Sequence, residues 1–142
     1  MANKSQATWG GRFTKSPTEL MLTFSESVSF DYRLGPYDIA VSRAPSAMLR
    51  HVGLISQREM RAIHKGLKTL EARIADGKFK WSPALEDVHM NIEQALIREI
   101  GELGKKIHMG RSRNDLVATD FRLYLRDCSD LILEKLSFHL KA

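Results

Sequence analysis

The stretch Gly104-Lys-Lys-Ile-His-Met-Gly-Arg-Ser-Arg-Asn-Asp-Leu-Val-Ala-Thr-Asp120 decides the fold, because a basic, glycine-marked loop turns here into a long helix rich in apolar residues. The loop is dense in hydrogen-bond donors, namely Lys105, Lys106, Arg111, Ser112, Arg113 and Asn114. A helix N-terminus presents unpaired amide groups and the positive end of the helix dipole, so it favours an anion. The junction therefore predicts a site for a carboxylate or a phosphate.

The helix that follows runs from Asp115 to the end of the sequence without a glycine or a proline. Its apolar positions are too broadly spread for a single stripe, so the helix is expected to pack against several others, as in a bundle. One row comprises Phe121, Leu125, Cys128, Ile132, Leu136 and Leu140, and Val117, Tyr124 and Leu131 widen it. The pattern stops at Ala142 without a residue that closes a helix, so we expect the chain to be the N-terminal portion of a longer protein.

The part of the chain before residue 55 predicts two helices. Ser16-Pro-Thr-Glu19 has the spacing of a capping box with proline at the first helical position, which predicts a short helix to about Phe24. Residues 37–50 have helical composition, but Pro45 lacks an amide donor and predicts a kink or a break. Ahead of both, Trp9-Gly-Gly-Arg-Phe13 is expected to form a hydrophobic plug that pins the N-terminus to the body of the protein.

Two more helices are predicted before the junction. Ser56-Gln-Arg-Glu59 is a capping box, and the helix it opens is expected to end at Gly77. Ser82-Pro83 predicts the start of a second helix that runs to about Gly101. Its buried side would comprise Val88, Ile92, Leu96 and Ile100. The fold class is therefore all-α, with an N-terminal helical domain over residues 1–112 that leads into the first long helix of a central bundle, residues 113–142.

Composition and charge are those of an ordinary soluble protein. The chain has 142 residues, 43% of them hydrophobic and 27% charged, with a net charge of +5 spread along the sequence. The single cysteine, Cys128, excludes an internal disulfide and is expected to be a buried structural thiol. No secretory pattern or long apolar run is present, which predicts a cytoplasmic protein without a membrane span.

Five motifs, in order along the chain, resemble those of the argininosuccinate lyases. They are Trp9–Phe13, Ser27-Val-Ser-Phe-Asp-Tyr-Arg-Leu34, Asp38-Ile39, Glu86-Asp-Val-His89 followed by Glu93, and Gly110–Asp120. This family belongs to the fumarase and aspartase superfamily, whose members are mainly helical homotetramers with active sites built from three subunits. The resemblance implies reversible elimination of argininosuccinate to arginine and fumarate, in arginine biosynthesis, without a metal or an organic cofactor.

The same resemblance implies a set of substrate-binding residues, namely Ser27, Asp87, His89, Ser112, Arg113 and Asn114. Ser27 and Asn114 would contact substrate directly, and Asp87 would either hold a partner in place or face the guanidinium. His89 is the one candidate for chemistry in this segment, although a histidine on an amphipathic helix is more often structural. The family's acid–base residues and flexible serine loop would lie beyond residue 142, so the segment alone is expected to be inactive.

The sequence also departs from the family and leaves other interpretations open. Val41-Ser42, Ala44-Pro45 and Leu116 replace residues that the family usually carries. A different superfamily lyase, such as adenylosuccinate lyase, is one alternative, and a non-catalytic protein, crystallin-like or only oligomerising, is another. Nucleic-acid binding through Lys105, Lys106, Arg111 and Arg113 suits the charge, but the sequence shows no aromatic stacking platform, so we expect no nucleic-acid partner.

Overall fold

The computed structural model describes residues 18–141, which form helices and turns without a strand. The α-helices are α1 (Glu19–Ser25), α2 (Val28–Asp31), α3 (Gly35–His51), α4 (Gln57–Ala75), α5 (Val88–Ile100) and α6 (Arg113–Lys141). Three 3₁₀ helices, Tyr32–Leu34, Pro83–Leu85 and Gly101–His108, connect them. The predicted all-α fold class is confirmed.

Helix α4 begins and ends as its sequence predicts. The Ser56 hydroxyl accepts from the amide of Glu59, and the Glu59 carboxylate accepts from the amide of Ser56, which completes the capping box. At the other end Gly77 adopts φ +66°, which an L side chain rarely allows. The amide of Lys78 then donates to the carbonyl of Arg73 at 2.8 Å, as in a Schellman motif.

The core lies between α3, α4 and α5, and the 3₁₀ helix Gly101–His108 closes it from one side. It is lined by Ile39, Leu49, Ile55, Ile63, Leu67, Leu70, Val88, Ile92, Leu96 and Ile107. Helices α4 and α5 approach closely at Gly66, where an added Cβ would lie 2.7 Å from Leu96 Cδ1. The buried row predicted for α5 is confirmed, with Ile100 partly buried at its end.

The sequence predicted a kink or a break at Pro45; helix α3 runs through this residue, so the break is wrong and the kink stays a prediction. The proline removes one amide donor, which a helix of 17 residues tolerates when packing holds it on both sides of the defect. Ile39 before the proline and Leu49 after it are 0% and 1% exposed in the core. Tertiary burial therefore outweighs the local cost of the proline.

Two helix starts differ from those predicted. Helix α1 begins at Glu19 with Thr18 as N-cap, rather than with Ser16, and Trp9–Phe13 lies outside the described residues. Helix α5 begins at Val88 with Asp87 as N-cap, because Ser82 and Pro83 open only a 3₁₀ turn. The side chain of Asn91 bonds the amide of Ser82 at 2.8 Å and its carbonyl at 3.1 Å, which holds that segment outside the helix.

Helix α6 packs on the core through its first half alone. Leu116 and Asp120 are its buried residues, and Tyr37 on α3 donates to Asp127 at 2.8 Å. Beyond this contact no other described residues cover the apolar row, and Ile132 is 58% and Leu140 85% exposed. Cys128 is consequently half-buried, and the expectation of a buried thiol is corrected.

None of the helices within residues 18–141 combines the length and the apolar character needed to cross a membrane.

Candidate functional site

The starts of α5 and α6 are joined by an ion pair between two of the predicted site residues. Arg113, the first residue of α6, donates from Nη1 to Asp87 Oδ1 at 2.8 Å and to Oδ2 at 2.6 Å. Asp87 also accepts the amide of Met90 at 2.7 Å as the N-cap of α5. Asp87 is thus already engaged twice, and the geometry is that of a residue that holds a partner in place.

The loop that carries Ser27 is attached to the same place. The amides of Ser27 and Val28 donate to the carbonyl of Glu86 at 2.8 and 3.0 Å. Glu86 adopts φ 65°, a conformation that costs energy for a residue with a Cβ and that surrounding contacts must stabilise. This turn brings the Ser27 loop next to Asp87.

Asp31 completes the attachment. Its Oδ2 accepts the Ser27 hydroxyl at 2.6 Å, and its Oδ1 accepts the amide of Val88 at 3.1 Å. Burial, together with the charge of Asp87, raises the pKa of the Asp31 carboxyl despite these two hydrogen bonds. The Ser27 hydroxyl is therefore oriented by a residue of the same motif, Asp31, which was not predicted as a site residue.

Ser112 and Asn114 lie at the exposed edge of the site. The Ser112 hydroxyl accepts from the backbone amide of Asn114 at 3.2 Å, so it covers a free donor at the start of α6. The Asn114 side chain is exposed and makes no hydrogen bond within residues 18–141. Of the two residues, Asn114 has the side chain free for an incoming ligand.

The predicted anion-binding loop is less cationic than its sequence indicates. Lys105 pairs with Glu102 at 2.6 Å, and Lys106 pairs with Glu59 at 2.7 Å. Arg111 differs, because its Nη1 is buried and has no hydrogen-bond partner within the described part of the chain. Arg113 is likewise paired with Asp87, so of the four cations of the loop only Arg111 forms no ion pair within the described residues, and the anion site stays a prediction.

Beneath this surface lies a buried cluster of His89 and two carboxyl groups. His89 on α5, Asp38 on α3 and Asp120 on α6 are 2%, 1% and 0% exposed. The two carboxylate oxygens nearest to His89 Nδ1 are Asp38 Oδ2 at 2.7 Å and Asp120 Oδ2 at 3.7 Å. Three helices thus meet at one imidazole, and both oxygens of Asp120 lack a hydrogen-bond donor among residues 18–141.

The environment of the cluster changes its acid–base behaviour. Burial alone lowers the pKa of His89, but the hydrogen bond and charge of Asp38 outweigh burial and raise it above its ordinary value. Burial, with the charge of Asp38 next in size, raises the pKa of Asp120 to about 7. The cluster consequently holds protons that the same side chains would release in water.

A second, half-buried pair flanks Arg113. His108 Nε2 lies 3.4 Å from Glu93 Oε2, and Arg113 Nη2 lies 3.8 Å from the same oxygen. Burial lowers the pKa of His108 to about 4, so this ring is neutral near neutral pH. Burial also raises the pKa of Glu93, although the charge of Arg113 opposes the shift.

Two of these residues, Asp38 and Asp120, were quoted within motifs but not predicted as site residues. Asp120 follows the fully buried Leu116 by four residues, which places both on one face of α6. An acidic residue at a core position of a helix is a signal that sequence reasoning can use. The contact between Asp38 and His89 leaves no such signal in the sequence, because the two residues are 51 positions apart.

The buried cluster is the one group of potential metal ligands found within residues 18–141, with one ligand atom from each residue inside 4.8 Å. Because His89 Nδ1 shares a proton with Asp38 at 2.7 Å, its lone pair is not directed at an ion in this arrangement. A tetrahedral zinc ion would hold neighbouring ligands about 3.3 Å apart. The geometry is that of a hydrogen-bonded cluster, and the absence of a metal stays a prediction.

The chain also has a surface cleft of about 410 Å³. It is lined by Tyr32, Arg33, Pro36, Ile74, Gly77, Phe79 and Trp81. None of these is a predicted site residue, and the cleft takes no part in the network that joins Ser27, Asp87 and Arg113.

Comparison with known proteins identifies the class. A family described as lyase matches residues 11–141, and the chain therefore belongs to this lyase family. Among curated proteins, it is 51% identical over 128 residues to the argininosuccinate lyase of Thiobacillus denitrificans, which covers 90% of this chain. It is also 50% identical over 141 residues, 99% of the chain, to the argininosuccinate lyase of Alcanivorax borkumensis.

These matches confirm the resemblance to argininosuccinate lyases and to the fumarase and aspartase superfamily. The chain spans 28% of the length of the Thiobacillus protein and 30% of that of the Alcanivorax protein.

Proposed function

We propose that the protein is an argininosuccinate lyase, which cleaves argininosuccinate reversibly into arginine and fumarate. The observation that carries this proposal is the 50% identity to a protein named argininosuccinate lyase over 99% of the chain. The reaction breaks a carbon–nitrogen bond β to a carboxylate. It needs a base for the carbon-bound proton, stabilisation of the resulting carboxylate dianion, and charge complementarity for the leaving guanidinium.

The described residues suit the binding part of this reaction. Arg113 donates to Asp87 from Nη1 and has Glu93 3.8 Å from Nη2, so a substrate carboxylate would bind at Nε or in place of Glu93 at Nη2. The exposed amide of Asn114 can donate to a second oxygen, and the Ser27 hydroxyl, oriented by Asp31, supplies a third polar contact. In this proposal Ser112 positions Asn114, and His89 orients the substrate from below.

The proton-transfer groups are proposed to come from outside this chain segment. Within residues 18–141, Asp31, Asp38 and His89 are engaged with other groups of the chain. The uncovered row on α6, with Leu136 53% and Leu140 85% exposed, supports a bundle in which further helices cover it. We propose a cytoplasmic homotetramer whose N-terminal helical domain comprises residues 1–112 and whose central bundle begins at residue 113.

A fumarate absorbance assay tests the proposal. The protein translated from the complete coding sequence is expected to release fumarate from argininosuccinate, whereas residues 1–142 alone are expected to release none. Adenylosuccinate in the same assay is expected to give no turnover. The absence of argininosuccinate cleavage by the complete protein would contradict the proposed activity and leave the non-catalytic, oligomerising alternative that the exposed α6 row also favours.

A further inference from the structure

His89 Nδ1 faces the carboxyl groups of residues from two other helices, of which one forms a hydrogen bond with it. Asp38 Oδ2 lies 2.7 Å from Nδ1, a short distance that indicates a charge-assisted hydrogen bond. Asp120 Oδ2 lies 3.7 Å from the same nitrogen, beyond hydrogen-bond reach. With Nδ1 directed at Asp38, Nε2 is the nitrogen that remains for any other partner.

The charge of the cluster limits its protonation states. With both carboxyl groups ionised and a neutral imidazole, two negative charges would be buried side by side, which is costly without compensating partners. Within residues 18–141 neither oxygen of Asp120 accepts a hydrogen bond, so an ionised Asp120 would be stabilised only by the charges of His89 and Arg111. A protonated Asp120 beside an ion pair of His89 and Asp38 leaves the cluster without net charge.

We propose that Asp38 and Asp120 are positioning residues for His89. Asp38 holds the ring as the imidazolium with Nδ1–H fixed, and Asp120 lies beside it as the neutral acid. His89 then presents Nε2–H as a donor of fixed orientation. That the Nε2–H of His89 meets a substrate carboxylate rests on the proposed function. The protonation state of the His89 ring does not depend on it.

The charged groups that face the cluster from the surrounding elements are consistent with this state. Asp87 at the start of α5 adds a negative charge near His89 and favours its protonated form. Arg111, just before α6, is the one cation that acts on Asp120 besides His89, and it forms no ion pair with that carboxyl in the described residues. His108 on the 3₁₀ helix is neutral near neutral pH and adds no charge.

The first test is spectroscopic and does not depend on lyase activity. The protein is labelled with ¹⁵N at its five histidines, and His89→Gln assigns the His89 signals. At pH 7 the ring is expected to carry protons on both nitrogens. A neutral ring at this pH in the unmodified protein would overturn the inference, and this measurement requires no destabilised variant.

The second test compares matched variants in the same spectra. Asp38→Asn keeps the shape of the side chain but removes its charge, and it is expected to lower the proton affinity of His89 at least tenfold. Asp120→Asn is expected to change that affinity less than threefold at pH 6, because the acid is already neutral. Asp130→Asn, on an exposed face of α6, is the control and is expected to change nothing.

The activity of the complete protein provides the third test. Asp38→Asn is expected to lower kcat/KM for fumarate release at least tenfold and to shift the pH at which activity falls. If the complete protein has no lyase activity, the proposed function fails while the spectra still decide the state of His89. If Asp38→Asn leaves both the proton affinity of His89 and the pH profile unchanged, the positioning role is overturned.

Discussion

The guanidinium of Arg113 and the carboxylate of Asp87 form the contact that joins the first residue of α6 to the N-cap of α5. Nη1 reaches both carboxylate oxygens, at 2.8 and 2.6 Å, while Glu93 lies 3.8 Å from Nη2. The Ser27 loop is attached to the same turn through the carbonyl of Glu86. Residues from three separate parts of the chain are thereby held within one small region.

Replacement of Arg113 is expected to weaken both stability and activity. Arg113→Ala leaves Asp87 half-buried without its cation, at a cost of about 1–3 kcal/mol in the free energy of unfolding. Arg113→Lys keeps the charge but loses the paired hydrogen bonds, and should recover less than half of the loss. Urea denaturation measures the stability, and an unchanged midpoint for Arg113→Ala would contradict the structural role of the pair.

Replacement of Asn114 is expected to separate binding from folding. Its exposed side chain makes no hydrogen bond within residues 18–141, so Asn114→Ala should change the free energy of unfolding by less than about 0.5 kcal/mol. In the complete protein the same variant should lower kcat/KM for argininosuccinate by roughly 10²-fold. The control is Arg122→Gln, also exposed on α6, and equal activity of the two variants would exclude Asn114 from the site.

Asp120 is expected to make stability fall as pH rises toward 7. Its pKa is raised from 3.8 to about 7, so the folded state binds more protons than the unfolded state between these values. The contribution is therefore fully present below about pH 4 and is lost by about pH 7. Asp120→Asn should remove this pH dependence of stability. Thermal denaturation of the unmodified protein and of Asp120→Asn at pH 5, 6 and 7 measures it, and an equal change of melting temperature with pH in both proteins would contradict the expectation.

His108 is expected to have the opposite effect at lower pH. Its pKa is lowered from 6.5 to about 4, so the unfolded state binds more protons between these values and stability is lost as the pH falls through this range. The slope from one group is at most about 1.4 kcal/mol per pH unit. His108→Gln should flatten it, with His139→Gln, exposed near the end of α6, as the control in the same titration.

Two glycines of the core should differ in their tolerance of a methyl group. A Cβ at Gly104 would lie 2.8 Å from the backbone nitrogen of Ile97, which cannot move without displacing α5. A Cβ at Gly66 would instead meet Leu96 Cδ1, the end of a flexible side chain. Gly104→Ala should cost about 2–3 kcal/mol of stability and Gly66→Ala about 1–2 kcal/mol, and the reverse order in calorimetry would contradict this account.

The sequence predicted helix ends most accurately where residues close in the chain satisfy the backbone hydrogen bonds of those ends. The capping box at Ser56 and Glu59 and the positive φ at Gly77 involve neighbours within a few residues, so sequence alone located both ends of α4. Ser82-Pro83 has the same type of signal but opens only a 3₁₀ turn. The competing bonds from Asn91, nine residues away, lie outside what a local pattern can show.

The break, one of the two outcomes expected at Pro45, does not occur, for a related reason. The cost of a proline inside a helix is local, and it can be read from the sequence. The burial of Ile39 and Leu49 on either side depends on α4 and α5, which are distant in the chain. Only the assembled core shows which of the two contributions is larger.

The six predicted site residues remain a prediction, but the structure shows which of them meet. Arg113 and Asp87 form an ion pair, and Ser27 is attached beside them through Glu86. Asn114 is free at the edge, whereas His89 is directed at Asp38 in the interior. The resemblance that selected these residues carries no distances, so it could not separate the exposed group from the buried one.

By itself, the sequence determined the all-α class, the family, and the junction from a basic loop to a long helix beginning near Arg113. These follow from patterns within a few residues or from motifs matched along the chain. Only the tertiary structure decided that the lysines of the loop are paired with carboxylates, and that Asp38, His89 and Asp120 lie together in the interior. Pairing and burial join residues tens of positions apart, and the energy of a charge depends on those neighbours rather than on the residue itself.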